Sequence, residues 1–274
     1  MFQFRLIPLC SKFRIPDQVL AEIATSITEE RRRKVIADFA TSCSLPVDTR
    51  TPDGSFRYCD KCYLVKPDRA HHCSICNRCN LKMDHHCPWV NTCVNYKNYK
   101  FFILFLAYTT CFCVYVLLSD LKFAIDAWKS GFLDDGSVSE RKIHLVLLPF
   151  VALIFAGSAS CLFFYHIWLL GRNQTTIEQG MPPIFASGRS RGDGYSLGTW
   201  RNVKEVFGES CILWPFPIFT SLGDGIRFPT RFGNIPVNNG DISVDVREGT
   251  PIHSVVVPGS SACRQYHTSA VSKV

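Results

Sequence analysis

The sequence predicts a mainly α-helical integral membrane protein. It has two transmembrane helices, a small zinc-stabilised cysteine-rich domain ahead of the first, and a short cytosolic C-terminal segment. Three observations carry that expectation. Residues 101–118 and 145–170 are almost purely apolar; seven of the fourteen cysteines crowd between Cys59 and Cys93; and the rest of the 274 residues is polar, basic and rich in glycine and proline. A hydrophobic content of 47% is an ordinary average that conceals this division. The formal charge of +7 suits an anionic membrane surface or a phosphate-bearing ligand as well as nucleic acid, so charge alone selects no partner.

At the N-terminus, Phe2–Leu9 is broken by Gln3, Arg5 and Pro8 and is too short for a secretory h-region. Residues 17–39 read as one amphipathic helix, with Asp17 as N-cap, Leu20, Ile23 and Ile27 on one stripe, and Glu29/Arg33 as an i,i+4 pair. Residues 41–54, with Pro46, Pro52 and Gly54, read as a linker, which makes 1–54 an N-terminal cytosolic segment.

The next segment, 55–100, holds the chemistry. It runs Cys59-x2-Cys62-x9-His72-Cys73-x2-Cys76-x2-Cys79-x4-Asp84-His85-His86-Cys87-x5-Cys93. Clustered C-x-x-C spacings with interspersed histidine indicate metal binding, not a disulfide framework. Two tetrahedral zinc sites need eight ligands. Cys59, Cys62, Cys73, Cys76, Cys79 and Cys93 supply six thiolates and two histidines complete the set. That accounting leaves Cys87 unused, with an unused histidine beside it, on a rigid metal-bound loop. A free cysteine so placed is how a nucleophile is presented. A RING arrangement needs a late C-x-x-C pair that does not follow Cys93, and a zinc ribbon would not need flanking spans, so no nucleic acid partner is expected. A purely structural zinc module on a membrane anchor is the competing reading. The chain shows no internal repeat.

Residues 101–118 are 18 uncharged residues, roughly 27 Å as a helix and enough to cross a hydrocarbon core; residues 145–170 form a longer second span. Flanking charge does not orient them, with five basic residues on the outer sides against four in the 119–144 loop. Zinc thiolates require a reducing compartment, which places the cluster and both termini in the cytosol and 119–144 on the lumenal or extracellular side. Residues 171–221 read as a small ordered cytosolic segment and 222–274 as a disordered tail, whose final Ser272-Lys273-Val274 is a possible PDZ ligand.

From Tyr58 through Phe102 the chain resembles the cysteine-rich domain of DHHC-type protein S-acyltransferases. The resemblance rests on Lys66-Pro67, Arg69, His72-Cys73, the Asp84-His85-His86-Cys87 tetrad, Cys93, Asn98 and Phe102. Downstream, Thr175-Thr176-Ile177-Glu178 matches that family's Thr-Thr-x-Glu motif, and Asn202-Val203-Lys204-Glu205-Val206-Phe207-Gly208 resembles its C-terminal motif. The resemblance implies short β-hairpins and two interleaved structural Zn2+ sites, one on Cys59, Cys62, His72 and Cys79, the other on Cys73, Cys76, His86 and Cys93. His71 is then a surface or packing residue. It also implies Cys87 as nucleophile, His85 as general base and Asp84 as the group that orients His85. A helix start at Pro88 would further help the thiolate.

The implied reaction is ping-pong: palmitoyl-CoA is the co-substrate, Cys87 carries the acyl group, and cytosolic cysteines of membrane-associated proteins receive it. Phe102 and Phe105 are expected on the acyl chain amid membrane lipid; Lys82, Lys97 and Lys100 suit the CoA phosphates and a plain surface role equally; Cys111, Cys113 and Cys161 are small apolar residues of the spans. Family members usually carry four spans, of which this chain has the last two. The expectation is therefore an acyltransferase lacking the first two helices. The alternative is a catalytically weak membrane adaptor with a structural zinc domain. Golgi, ER and plasma membrane all suit it.

Overall fold

The computed structural model describes residues 11–129 and 140–231, which divide into two compact units. The first gathers the described chain up to residue 96 with 174–197 and 223–231; the second holds 97–129, 140–173 and 198–222. The segment read from sequence as one piece, 171–221, thus contributes to both.

In the first unit, two helices replace the single one expected over 17–39: α1 (Asp17–Thr25) and α2 (Glu29–Ser42). Pro16 is the N-cap of α1, and Asp17 is its first helical residue. The break falls at 26–28 because Thr28 takes an extended backbone and its hydroxyl accepts the Arg31 N–H at 3.3 Å, capping α2. Ile27, expected on the apolar stripe, is 98% exposed in that break. Arg33 pairs with Asp53 at 2.7 Å, while Glu29 faces Arg32. Val35, Ile36 and Phe39 of α2 share a core with Phe13, Ile15, Cys43, Leu45, Val47 and Val65. The presumed linker therefore supplies three core residues. It also supplies β1 (Thr49–Arg50), which pairs antiparallel with β8 (Ile184–Phe185).

Three short antiparallel hairpins follow: β2 (Tyr58–Cys59) with β3 (Leu64–Val65), β4 (His71–Cys73) with β5 (Arg78–Asn80), and β6 (His85–Cys87) with β7 (Thr92–Val94). Their registers are equivalent, with Cys59 opposite Leu64, Cys73 opposite Arg78 and Cys87 opposite Thr92. In each turn the fourth residue after that cysteine adopts the left-handed region: Tyr63 (φ 53°), Asn77 (φ 49°) and Asn91 (φ 47°). A repeat that the sequence reading missed is therefore present, with Cys59, Cys73 and Cys87 successive at fourteen residues. No helix begins at Pro88, because residues 88–91 are the turn of the third hairpin.

Residues 223–231, expected within the tail, pack on this unit. The Tyr96 hydroxyl donates to the Gly223 carbonyl at 2.6 Å, Ile226 joins the core, and the Arg231 N–H donates to the Gly194 carbonyl at 2.8 Å. Gly225 (φ +74°) lies so close to Tyr96 that a Cβ there would come within 2.6 Å of the ring. Residues 1–10, 130–139 and 232–274, and with them the C-terminal tripeptide, lie outside the described residues.

The second unit is built on α3 (Tyr99–Lys129) and α4 (Glu140–Gly171). Tyr99 and Phe102, at the start of α3, meet His166 near the end of α4, so the helices run antiparallel. Both are long and apolar enough to cross a membrane, over Tyr99–Ala127 and Leu147–Gly171. Only 28% and 17% of their most apolar stretches are buried within the protein, whereas a soluble core helix would be mostly buried. Phe112, Tyr115, Leu118, Phe150, Leu153 and Phe164 face outward, as side chains solvated by lipid do. The helices overrun the expected 101–118 and 145–170 at both ends.

Beside them, α6 (Thr199–Phe207) places the buried Asn202 so that its side-chain amide donates to the Gly171 carbonyl, the orphan acceptor at the end of α4, at 2.8 Å. Gly208 (φ +86°) ends α6, where a Cβ would come within 2.6 Å of the Thr220 carbonyl oxygen.

Candidate active site and metal centres

The pleat of the hairpins sorts the cluster. Along a strand, successive side chains point to opposite faces, and residues directly opposite across a pair share a face. His72 lies opposite Cys79, and His86 opposite Cys93. Each His/Cys pair meets the two cysteines of the preceding turn. Cys59, Cys62, His72 and Cys79 form one group, and Cys73, Cys76, His86 and Cys93 the other, with all ligand atoms of a group within 4.8 Å of one another.

Both groups could hold a metal ion, and their dimensions suit zinc. Zn–S bonds of about 2.3 Å and Zn–N bonds of about 2.0–2.1 Å at tetrahedral angles put sulfur and nitrogen ligands about 3.6 Å apart. His72 Nδ1 lies 3.5, 3.2 and 3.9 Å from the sulfurs of Cys59, Cys62 and Cys79. His86 Nδ1 lies 3.7, 3.4 and 3.7 Å from those of Cys73, Cys76 and Cys93. Burial, followed by the neighbouring Cys59 and Cys62 sulfurs, pushes the Cys79 thiol up; burial with Cys73 and Cys76 does the same to Cys93. A further thiolate at Cys79 or Cys93 is therefore disfavoured, and a cation among the sulfurs would offset that cost. His71 stands beside the Arg57 guanidinium at 3.5 Å, and burial, then the charges of Arg57, Lys66 and Arg69, lower it to about 3. It is a neutral packing histidine.

The same pleat separates His86 from its neighbours. His85 and Cys87 are two residues apart on β6 and share the face opposite to His86. Asp84 is 1% exposed, and its Oδ2 accepts the His85 Nδ1–H at 2.6 Å. That bond fixes the tautomer and leaves Nε2 as the basic nitrogen. Cys87 is buried, while the His85 side chain is 30% exposed. The arrangement provides a thiol, an imidazole on the same strand face and a carboxylate behind it, which is the set needed for nucleophilic acyl transfer.

What holds Asp84 was not legible as a contact. Thr175 and Glu178 form a capping box that starts α5 (Thr176–Gly180). The Thr176 N–H donates to Asp84 Oδ1 at 3.0 Å, and its hydroxyl lies 2.5 Å from the Asp84 carbonyl oxygen and 3.1 Å from Oδ2. Glu178 in turn accepts two parallel 2.7 Å bonds from Arg69, whose side chain is fully buried. The Arg69 guanidinium lies 4.4 Å from the centre of the Tyr195 ring and 4.9 Å from that of Phe228, two rings that meet edge-on. The Thr-Thr-x-Glu motif thus clamps the carboxylate to the hairpins. Sequence reasoning singled out the motif and Arg69 but could not connect either to Asp84.

Two of the lysines that suit CoA phosphates by charge are committed elsewhere. Lys82 is buried with its ammonium 5.5 Å from the centre of the Phe228 ring. Lys100 is 1% exposed and donates to the Leu213 and Ile218 carbonyls and the Thr220 hydroxyl at 2.8, 3.0 and 2.8 Å. Of the two phenylalanines, Phe102 packs edge-on against His166 at 5.0 Å, and Phe105 is 46% exposed on α3.

A family model described as DHHC palmitoyltransferase matches residues 53–181. Palmitoyltransferase ZDHHC20-B of Danio rerio is 41% identical over 254 residues, covering 93% of this chain and 76% of that protein. The chain belongs to the DHHC palmitoyltransferase family. Palmitoyltransferase ZDHHC2 of Homo sapiens is 50% identical over 190 residues, 69% of this chain and 50% of its own length. Palmitoyltransferase ZDHHC15 of Xenopus laevis is 46% identical over 220 residues, 80% of this chain and 63% of its own. The chain therefore spans about half the length of one curated relative and three quarters of another. Membership of the DHHC family accounts for both the hairpins with their metal groups and the two apolar helices.

Proposed function

We propose that this chain is a protein S-palmitoyltransferase that moves a long acyl group from acyl-CoA to cysteines of membrane-associated proteins through an acyl-enzyme at Cys87. The observation that carries this is the Asp84–His85 bond at 2.6 Å on the strand that bears Cys87, turned away from the His86 metal group.

In the first half-reaction, His85 Nε2 takes the Cys87 proton as Sγ attacks the thioester carbonyl. A new C–S bond forms, the bond to the CoA sulfur breaks, and the proton passes to the departing thiolate. In the second, a substrate cysteine gives its proton to His85, attacks the acyl-Cys87 carbonyl, and Cys87 leaves and is reprotonated. One thioester replaces another, so the protein's task is positioning. Asp84, held by Thr176, keeps His85 in the tautomer that accepts at Nε2. Two structural zinc ions, one on Cys59, Cys62, His72 and Cys79 and one on Cys73, Cys76, His86 and Cys93, would fix the hairpins.

A membrane protein suits a reaction whose acyl chain gains about 0.8 kcal/mol per buried CH₂. The requirement of zinc thiolates for a reducing compartment puts the hairpins on the cytosolic face, where acyl-CoA and target cysteines meet.

The test is acyl loading of zinc-replete protein in liposomes with labelled palmitoyl-CoA, beside Cys87→Ser and Cys87→Ala. Hydroxylamine-labile label on the parent that is absent from both variants supports the proposal. A folded, zinc-replete parent that takes no label rejects the enzyme and leaves a zinc-bearing membrane adaptor.

A further inference from the structure

The three hairpins are one motif used three times. His71-His72-Cys73-x3-Asn77-x-Cys79 recurs fourteen residues later as His85-His86-Cys87-x3-Asn91-x-Cys93, and Tyr58-Cys59-x2-Cys62-Tyr63 begins the first copy at the same spacing. Register and backbone agree with the letters. The first cysteine of each turn faces the residue five positions on, and the left-handed residue falls at the same place in all three. The burial patterns of the second and third hairpins are identical strand for strand.

The metal groups use this repeat as a chain of links. The turn cysteines of the first copy, Cys59 and Cys62, join the strand pair His72 and Cys79 of the second. The turn cysteines of the second copy, Cys73 and Cys76, join the strand pair His86 and Cys93 of the third. At the near end the equivalent strand pair is Tyr58 and Val65, which cannot ligate. At the far end the turn pair is Cys87 and Val90, and the chain enters α3 at Tyr99 before a fourth hairpin could supply a strand pair.

We infer that Cys87 occupies the first-ligand position of a third metal knuckle, and that Val90, at the second-ligand position, keeps it free of metal and available as a thiol. In the second knuckle that backbone holds its paired cysteines together, with the Cys76 N–H donating to the Cys73 sulfur at 3.4 Å. The third turn shares its register and left-handed residue but carries an apolar side chain where the second thiol would stand. Val90 is 40% exposed, so no packing demands valine there. One thiol alone is a poor site for zinc, which needs several strong ligands to displace its waters. The inference rests on the reading of the two metal groups and not on acyl transfer. Val90 is a residue that sets what Cys87 can bind; it does no chemistry.

The experiment installs the missing ligand as Val90→Cys in the zinc-replete full chain, with phenylarsine oxide as the probe. The arsenical condenses with two thiols held side by side: two As–S bonds form, and both S–H protons leave with the arsenic-bound oxygen as water. The expected result is an arsenic bridge between residues 87 and 90 by mass spectrometry and a Cys87 alkylation rate at least tenfold slower with the arsenical than without. Wild type, Val90→Ser and Trp89→Cys should show neither. If Cys87 in Val90→Cys alkylates at the wild-type rate in the presence of the arsenical, the third turn is not a knuckle and the inference is overturned. Two bound zinc ions in that same variant would show that the metal reading survives. If Val90→Cys loses a native zinc, Val90→His carries the test with added zinc in place of the arsenical. Protection of Cys87 supports the inference there, and undiminished alkylation overturns it.

Discussion

The backbone N–H of Thr176 donates to Oδ1 of Asp84 at 3.0 Å across 92 residues of sequence. The same threonine's hydroxyl reaches the carboxylate and carbonyl of Asp84, so one residue closes around the acid that orients His85. A side-chain hydrogen bond to a charged group is worth about 1.5–3 kcal/mol. Thr176→Val should therefore slow acyl loading roughly tenfold or more while leaving bound zinc unchanged, and Thr176→Ser should restore most of the rate. Single-turnover loading beside a zinc assay checks this; loss of zinc in Thr176→Val would assign the residue to folding instead.

Alternation along β6 makes neighbouring histidines diverge. His85→Ala should keep two metals per chain and lose about 10²–10⁴-fold in loading rate, the usual contribution of a general base. His86→Ala should lose the metal held with Cys73, Cys76 and Cys93 and unfold the third hairpin. Metal analysis of the two purified variants separates them, and equal zinc content would refute the division of labour.

Much of this was legible in the chain, and the remainder has physical reasons. Five of the cluster's six ligand cysteines stand in C-x-x-C spacings, with Cys93 outside them, and the spans follow from length without charge. The partition of ligands does not, because His72 and Cys73 are neighbours that fall in different candidate metal groups. Only the strand pleat and the His72–Cys79 and His86–Cys93 pairings decide it. The fourteen-residue repeat was hidden because the first copy keeps the turn cysteines but has Tyr58 and Val65 where the others have ligands. Helical periodicity carried Ile27 into a helix that Thr28 in fact interrupts. Lys100 looked available for phosphate because sequence shows charge but not the Leu213 and Ile218 carbonyls that satisfy it.

Arg69 and Glu178 form a fully buried, doubly hydrogen-bonded pair. Removing one partner leaves an uncompensated buried charge, at a cost of about 3–5 kcal/mol. Glu178→Ala should lower the thermal midpoint by several degrees and also slow loading, since α5 carries Thr176. Arg69→Lys should recover little, because an ammonium cannot reproduce the parallel pair of bonds. Thermal unfolding of both variants in detergent is the measurement, and a midpoint within a degree of wild type would show that the pair is dispensable.

Acid should undo the hairpins in two ways whose signs agree. The folded His71 sits at about 3, below its ordinary value, because burial and then Arg57, Lys66 and Arg69 oppose its charge. The unfolded chain thus binds more protons between about pH 6.5 and 3, so the stability present above that window is lost as pH falls through it. Metal retention moves the same way. Burial and neighbouring sulfurs favour the protonated thiols of Cys79 and Cys93 when no cation is bound, so protons compete directly with metal there. Zinc release followed with a colorimetric chelator should rise as pH drops. His71→Gln, which removes the buried titration but no ligand, should shift the unfolding midpoint to lower pH. A release curve indifferent to pH would contradict thiolate ligation, and an unshifted midpoint in His71→Gln would show that this histidine does not govern acid stability.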